Sequence, residues 1–297
     1  MGSANNLFKR IEKKYLLSGE KYELLMTALA DYIEPDEYPH STICSMYYDT
    51  PDFKLIRASI EKPLYREKLR VRSYGVPTRD SNVFVEVKKK YDGVVYKRRL
   101  KMELGELEGY LNERTEPIHF LEKISNEREP GSREDLAEDP RGDARSDKEA
   151  FVDNQIYHEI NYFLDHYGNL QPMMFLSYER DAFFAKDDRD LRITFDSDIT
   201  YRRDDLRLED GVFGKKLIQP DQHLMEIKVP GAMPLWLSHI LDRLEIRSCH
   251  FLGVAGLGFC CCSTLCCGFC RCGLSCCRCA AVSASGHGKN HSCCKHA

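Results

Sequence analysis

The stretch L-Y-R-E-K-L-R-V-R-S, from Leu64 to Ser73, decides the fold. Successive side chains of a β-strand point to opposite faces of the sheet. One face of this strand therefore carries four cations, Arg66, Lys68, Arg70 and Arg72. The other face carries Tyr65, Glu67, Leu69 and Val71. Four neighbouring cations repel one another unless water or an anion separates them, so this face either lies in solvent or holds an anion.

The same alternation recurs in four other segments, and it extends the argument from one strand to a whole sheet. Their charged faces carry Arg10, Glu12 and Lys14; Glu86, Lys88 and Lys90; Arg192, Thr194 and Asp196; and Glu226 and Lys228. The opposite faces are mostly apolar. Such strands can close into a barrel that has its apolar side outward, under helices, and its charged side around a lumen. A cationic lumen with a few carboxylates suits a polyanion and a divalent metal ion. A sheet with a solvated charged face is the alternative.

Length and composition narrow the class of protein. The chain has 297 residues with 42% hydrophobic content, enough for one large barrel domain or two ordinary domains. Its net charge is only −4, so the cations are concentrated in strands and the protein as a whole is not basic. Nucleic-acid binding is disfavoured because aliphatic side chains, not exposed aromatic ones, alternate with the cations. The N-terminus lacks the apolar segment of a signal peptide, and we expect a cytoplasmic protein.

Local signals predict the order of the elements. Ser18 is a candidate N-cap for a helix over 20–32, and Glu34 to Pro39 is predicted to be a loop. A strand over 42–48 should lead through Asp49-Thr50-Pro51 into a short helix. Dense mixed charge over 126–149 predicts a mobile loop, and helical spacing predicts a helix over 151–167.

Six segments, taken together, resemble one known family. They are R-I-E-K-K-Y at 10–15, Y-R-E-K-L-R-V-R-S-Y at 65–74, F-V-E-V-K-K-K-Y-D-G-V-V-Y-K-R-R at 84–99, L-S-Y-E-R-D-A-F at 176–183, L-R-I-T-F-D at 191–196 and L-M-E-I-K at 224–228. The chain resembles the triphosphate tunnel metalloenzymes, and among them the polyphosphate polymerase domain of the vacuolar transporter chaperone type and its bacterial relatives. The resemblance implies an α+β fold, an antiparallel β-barrel tunnel with helices on the outside, in a domain over residues 1–251.

The same resemblance implies a reaction and a set of site residues. The terminal phosphoryl group of ATP would be transferred to a growing polyphosphate chain with Mn²⁺ or Mg²⁺. The implied catalytic residues are Arg70, Arg72, Lys88, Arg180 and Arg192. The implied substrate-binding residues are Lys14, Arg10, Lys97, Tyr178 and Lys228, and the implied metal ligands are Glu226 and Glu12. The partners would be ATP and polyphosphate. Two alternatives remain open: an inorganic triphosphatase of the same fold, and a non-catalytic module that binds polyphosphate or inositol phosphates.

The C-terminal part departs from the family. An S-K-[YF]-x-x-G-like motif is expected after Arg247, but the chain continues as Ser248-Cys249-His250-Phe251. Of the 14 cysteines only Cys44 precedes residue 249, so the tail over 252–297 has a composition of its own. A shifted reading frame, a thiolate site for zinc or copper(I), and palmitoylation are three interpretations of this tail. Membrane association is expected only through partner subunits or through such lipidation.

Overall fold

The computed structural model describes residues 11–61, 63–92, 94–115, 117, 143–251 and 260–261. For 143–153, 250–251 and 260–261 only the backbone is described. The chain divides into two units, residues 1–260 and 261–297, and the main sheet and all described helices belong to the first. Arg10 and nearly all of the 252–297 tail lie outside the described residues, and so does most of the predicted loop over 126–149.

The first unit is built from long strands with short helices between them. The strands are β1 (Ile11–Leu17), β2 (Ile33–Asp49), β3 (Tyr65–Tyr74), β4 (Asn82–Tyr91), β5 (Val94–Glu103), β6 (Gln171–Ala185), β7 (Arg192–Arg202), β8 (Lys215–Lys216), β9 (His223–Val229), β10 (His250–Phe251) and β11 (Cys260–Cys261). The helices are α1 (Gly19–Leu29), α2 (Lys54–Glu61), α3 (Leu104–Glu113), α4 (Asp143–Tyr167) and α5 (Leu235–Arg243). None of the described helices has the length and hydropathy needed to cross a membrane.

The main sheet is antiparallel and has the order β1-β9-β7-β6-β2-β3-β4-β5, with β8 added to β7. Its register places the charged residues of neighbouring strands side by side. Lys14 pairs with Glu226, Arg180 with Asp196, Arg70 with Glu86, and Lys88 with Lys97. Paired residues project from the same face. The alternation read from single strands therefore continues across the sheet as one charged face.

The apolar face is covered by helices. Over β2 to β5, Val71, Val85 and Leu100 pack in one cluster with residues of α2, α3 and α4, among them Tyr110 and Phe163. Over β1, β7 and β9, a second cluster holds Tyr15, Leu17, Ile193, Phe195, Met225 and Ile227 with residues of α1 and α5. Burying these side chains removes the apolar face from water. The charged face is consequently the inner one.

The two ends of the sheet approach each other across the lumen. Lys88 lies on β4, close to one end of the strand order, yet its pKa responds to Glu12 of β1 and to Glu226 and Lys228 of β9 at the other end. A flat sheet would separate β4 from β9 by four intervening strands, about 24 Å at the usual spacing. The sheet is therefore curled into a barrel-like tunnel, and the predicted fold with helices outside is confirmed. In the described part of the chain, β1 and β5 do not pair with each other.

Several predicted boundaries were wrong. The segment from Glu34 to Pro39 is part of β2, not a loop, although its pairing with β6 shifts register between Pro35 and His40. Helix α4 begins at Asp143, eight residues before the predicted start. In the first case backbone pairing with β6 extended the strand beyond the local signal.

Asp49 connects β2 to α2 through a buried cap. Its Oδ1 accepts hydrogen bonds from the backbone N–H groups of Thr50 at 2.7 Å and Leu55 at 2.9 Å, and its Oδ2 accepts one from Ile56 at 2.9 Å. These donors belong to the turn and the first turn of α2, where N–H groups have no partner within the helix. One carboxylate therefore fixes the angle between the strand and the helix. The short helix predicted after Asp49-Thr50-Pro51 is α2.

Asp49→Ala is expected to lower the free energy of unfolding by about 2 kcal/mol, because it removes an N-cap and leaves buried N–H groups without an acceptor. Urea unfolding followed by circular dichroism measures the change. The matched control is Asp31→Ala, at an exposed position that caps no helix. The free energy of unfolding of this variant should stay within about 0.5 kcal/mol of the wild-type value. Equal effects of the two substitutions would contradict the cap.

Candidate functional site

Glu226 of β9 is the centre of the first charged group on the inner face. Its side chain is buried, and its carboxylate accepts charge-assisted hydrogen bonds from Lys14 of β1 and Lys228 of its own strand. Burial favours the neutral acid, but the two ammonium groups outweigh it and lower the pKa of Glu226. The same ion pair raises the pKa of Lys14 against the effect of burial. Glu226 is thus a carboxylate, and Glu12 lies beside it, 3.6 Å from the ammonium group of Lys14.

Glu86 of β4 is the centre of a second group. It accepts from Arg70 Nε at 2.6 Å, Lys97 Nζ at 2.8 Å and Arg99 Nε at 2.7 Å. Its side chain is only 1% exposed, which alone would raise the pKa. The neighbouring cations, among which Arg70 and Arg72 have the largest effects, outweigh burial and lower the pKa of Glu86 to about 2. One buried carboxylate on β4 therefore holds cations of the two flanking strands, β3 and β5, in fixed positions.

A third carboxylate orients Arg180 of β6. Asp196 accepts from its Nε at 2.6 Å and its Nη2 at 2.8 Å, a bidentate pair that fixes the guanidinium plane. Beside it, Tyr178 lies on the same face and accepts from Nη2 of Arg72 at 3.2 Å. Burial raises the pKa of Tyr178, which keeps its hydroxyl as a proton donor. Arg180 also lies over the Tyr178 ring, 5.0 Å from its centroid.

Several cations on this face have no carboxylate partner within 4.0 Å among the residues that the structure describes. They include Arg66 and Lys90, which pair across β3 and β4, and the three cations Arg72, Lys68 and Lys88. Arg72 is 7% exposed, and its Nε has no hydrogen-bond partner. Burial, together with the neighbouring cations, lowers the pKa of both Lys68 and Lys88. An anion placed between these three side chains would relieve their mutual repulsion.

Two hydroxyl groups on the same face also lack partners. Ser45 and Thr194 are fully buried at 0% and 2% exposure, and the Oγ of the first and the Oγ1 of the second make no hydrogen bond. A buried polar atom without a partner is uncommon in folded proteins and calls for a bound water or ligand. With Nε of Arg72 they make three buried polar atoms on the inner face that have no hydrogen-bond partner.

The lumen is open to water. Lys88 is an exposed side chain, and Lys97 is 42% exposed, yet desolvation is the largest contribution to the lowered pKa of each. Both facts hold at once for a side chain on the wall of a narrow channel, which protein atoms surround and solvent enters. Substrate can therefore reach these cations without unfolding of the barrel.

Arg192 lies farther out than the other predicted residues. Its side chain is 46% exposed and its Nη2 lies 2.6 Å from Asp36, in the part of β2 where the pairing with β6 shifts register. Arg10 lies outside the described residues. The other predicted residues fall into the three carboxylate-centred groups or lie beside them: Lys14, Glu12 and Lys228; Arg70 and Lys97; and Arg180, Arg72, Tyr178 and Lys88. The roles assigned to all of them stay predictions.

The inner face offers donors for a divalent metal ion shared with phosphates. Glu226 is ionised and buried, and Glu12 is on the neighbouring strand, two register positions along. No group of three or more His, Cys, Asp or Glu side chains able to enclose a metal ion exists within the described ranges. Mg²⁺ and Mn²⁺ commonly bind one or two carboxylates and complete their shell with water and substrate phosphates. These residues fit such a metal, with Lys14 and Lys228 balancing the Glu226 charge.

Sequence analysis missed Glu86, Lys68 and Tyr47 as site residues. Glu86 and Lys68 were on the predicted charged faces, in phase with Lys88 and Arg70, so the signal was present. Tyr47 precedes Tyr48 in a run without clear alternation, and only the register with Arg70 places its ring on the inner face. Their importance comes from contacts between strands, which the period of one strand does not reveal.

The family model described as "VTC domain" matches residues 9–251 of the chain. No curated protein matches. Similar solved structures include a candidate adenylate cyclase from Bacillus halodurans, at 15% identity over 80% of this chain and 91% of the other, with a TM-score of 0.40. A second is a candidate adenylate cyclase from Vibrio parahaemolyticus, at 12% identity over 79% of this chain and 83% of the other, with a TM-score of 0.34. A third is a candidate adenylyl cyclase from Hippeastrum described as having dominant triphosphatase activity, at 13% identity over 80% of this chain and 89% of the other, with a TM-score of 0.35.

The carboxylate of Glu86 makes a pH-dependent contribution to stability. Because its pKa falls from 4.5 to about 2 on folding, the contribution is complete above pH 4.5 and is lost as the pH falls towards 2, with a size of about 3 kcal/mol. Glu86→Gln is expected to flatten the fall of unfolding free energy over this range. At pH 7 the variant should be less stable by about 3–5 kcal/mol, since three cations lose their buried partner.

Urea unfolding at pH 7, 5, 4 and 3 measures both effects. Glu61→Gln is the control, at an exposed position of α2 outside the site. Its profile should follow that of the wild type. A Glu86→Gln profile parallel to the wild type between pH 4.5 and 3 would contradict the assignment of this pKa to Glu86.

Proposed function

Because the chain belongs to the VTC domain family, we propose that it is a metal-dependent polyphosphate polymerase that uses ATP as its phosphoryl donor. The observation that carries the proposal is the set of unpartnered cations and hydroxyls on the inner face, Arg72, Lys68, Lys88, Ser45 and Thr194. An enclosed basic channel binds a linear polyanion along its length, whereas a solvated basic face would leave each cation hydrated.

The transfer itself needs few protein groups. An oxygen of the terminal phosphate of the acceptor chain forms a bond to the γ-phosphorus of ATP, the bond from that phosphorus to the β,γ-bridging oxygen breaks, and ADP leaves with the electron pair. The transition state is loose and spreads negative charge over the equatorial oxygens. Catalysis then depends on holding both reactants in line and on stabilising that charge. Arginine and lysine side chains on rigid strands can do both.

The carboxylates of the lumen keep the arginines in place. Arg70 is fixed by Glu86 and Arg180 by Asp196, so the remaining N–H donors of each guanidinium have a set direction. Preorganised donors need no reorganisation during the reaction. Arg72, in contrast, donates to the hydroxyl of Tyr178 and has no carboxylate partner among the described residues.

Glu226 and Glu12 would hold a divalent metal ion, and that ion would supply positive charge to the entering and leaving phosphates. Lys14 and Lys228 hold the Glu226 carboxylate in its ionised form. They also fix the direction in which its oxygens point. This chain's own contribution at that end of the lumen is therefore a charged, oriented ligand.

One observation favours a second candidate, an inorganic triphosphatase. Water reaches Lys88 and Lys97 inside the lumen, and a water molecule in place of the acceptor phosphate would convert transfer into hydrolysis. Incubation of the purified full-length chain with ATP and Mn²⁺ separates the candidates. Long-chain polyphosphate supports the polymerase, free phosphate from ATP or tripolyphosphate supports the triphosphatase, and binding without turnover supports a non-catalytic module.

Arg72→Lys is expected to reduce turnover by about 10²–10³, because an ammonium group cannot replace a planar fork of donors at the reacting phosphate. Polyphosphate formation at saturating ATP measures the loss, with thermal unfolding to verify the fold. Arg57→Lys, on the exposed surface of α2, is the matched control and should keep wild-type activity. Full activity of Arg72→Lys would remove Arg72 from the site.

A further inference from the structure

One end of the sheet, where β4 turns into β5 beside the start of β3, exposes apolar side chains. We call this part the hairpin tip (residues 64–67, 89–92 and 94–96). Tyr91 pairs there with Tyr65 on one side and with Val94 on the other. Six tyrosine and valine side chains at or beside the tip are between 36% and 69% exposed: Tyr65, Tyr91, Val94, Val95, Tyr96 and Tyr162. Single exposed residues of this kind are normal, but a contiguous group of them marks an interaction site.

The tyrosines form a continuous surface on the outer face of the tip. Tyr96 lies two residues beyond Val94, and alternate side chains of a strand share a face. Tyr162 of α4 extends this surface: burial, Glu67 and Tyr162 together raise the pKa of Tyr65, which places the two tyrosines side by side. Each ring is apolar along its length and carries a hydroxyl group at its end. The outer face of the tip therefore suits a boundary between an apolar and a polar phase.

The tip projects from the body of the protein, because both of its faces reach solvent. Val94 and Tyr96 are exposed on the outer face. Val95, between them, is 47% exposed on the inner face, in one row with Lys90 and Arg66. Farther along β5 the outer face is buried under α3 and α4. With two accessible faces, the tip has the shape of a wedge and does not form the wall of a groove.

The tip is cationic as well as apolar. Between residues 88 and 98 the β4–β5 hairpin carries five cations and one carboxylate: Lys88, Lys89, Lys90, Lys97 and Arg98, against Asp92. Glu159 of α4 lies 2.8 Å from Arg98 and neutralises it. Arg66 and Lys90 pair across β3 and β4 and have no carboxylate partner within 4.0 Å among the residues that the structure describes. A partner of this surface must therefore be anionic and must also accept apolar side chains.

We propose that the hairpin tip inserts into the headgroup layer of a membrane that contains anionic lipids. Amphipathic aromatic rings are favoured at the level of the headgroups, and the cations of the tip attract the negative charge of the lipids. A fluid headgroup layer can surround a wedge on both faces, whereas a folded protein can do so only with a groove of matching shape. Two copies that met tip to tip would bring their cations together. The inference is independent of turnover in the lumen and goes beyond the proposed function.

Sedimentation of the full-length chain with lipid vesicles tests the contact. The wild type is expected to bind vesicles of phosphatidylcholine and phosphatidylserine at least about tenfold more tightly than vesicles of phosphatidylcholine alone. Arg66→Gln/Lys90→Gln should weaken binding to the phosphatidylserine vesicles by about 30-fold, since each cation near an anionic surface contributes about fivefold. Tyr91→Ser/Val95→Ser removes one apolar side chain from each face and should weaken this binding by about tenfold or more.

Two matched controls remove the same kinds of side chain outside the tip. Tyr38→Ser/Val76→Ser replaces an exposed tyrosine and an exposed valine. Arg243→Gln/Arg247→Gln replaces two exposed cations, one at the last residue of α5 and one just after it. Both controls should bind phosphatidylserine vesicles as the wild type does, and thermal unfolding verifies that every variant is folded.

Binding of neither kind of vesicle by the wild type would overturn the proposal, and so would equal losses in a tip variant and its control. Equal affinity for the two kinds of vesicle would overturn the role of the cations. A dimer in sedimentation velocity that Tyr91→Ser/Val95→Ser dissociates would assign the tip to a second copy of this chain instead. Each of these results leaves the proposed function standing, because turnover of ATP is measured separately.

Discussion

The structure depends on how like charges are kept together inside an enclosed sheet. Packing of α1 to α5 on the apolar face leaves the cations of the strands no direction except inward, where they face one another across a narrow channel. Three carboxylates, Glu226, Glu86 and Asp196, neutralise part of this charge at fixed points. The cations that remain without a carboxylate are those that a polyanion would bind. The same constraint therefore bears on the stability of the barrel and on the proposed binding of phosphate.

Buried ion pairs of this kind contribute less to stability than their number suggests. Removing Glu86 or its partners from water costs free energy that the Coulombic attraction only partly returns. Apolar side chains of similar size could pack as well. What the pairs add is direction: Glu86 and Asp196 fix the planes of Arg70 and Arg180. A site that must hold a phosphate in line for attack needs this rigidity, which an apolar lining cannot supply.

Much of this arrangement was predictable from the period of the strands. Alternation identified which face of β1, β3, β4, β7 and β9 carries charge, because side-chain direction in a strand follows from sequence position alone. The partners of each cation were not predictable, since they depend on register: Lys97 and Arg99 meet at Glu86 only because β5 pairs with β4 as it does.

The departure from the family pattern falls at one edge of the barrel. After Ile246 the chain returns to the free edge of β1, where the N–H of Cys249 donates to the Lys14 carbonyl at 2.7 Å. The edge of β1 is thus paired through the backbone, although the Ser-Lys pair that the resemblance implies is replaced by Ser248-Cys249. Backbone pairing does not depend on side chains, so this edge is covered without that pair. The groups centred on Glu226, Glu86 and Asp196 contain no residue of this segment. Coverage of this edge and the charge arrangement of the lumen are therefore separate properties of this chain, and a change at its C-terminal end can alter the first while the second stays.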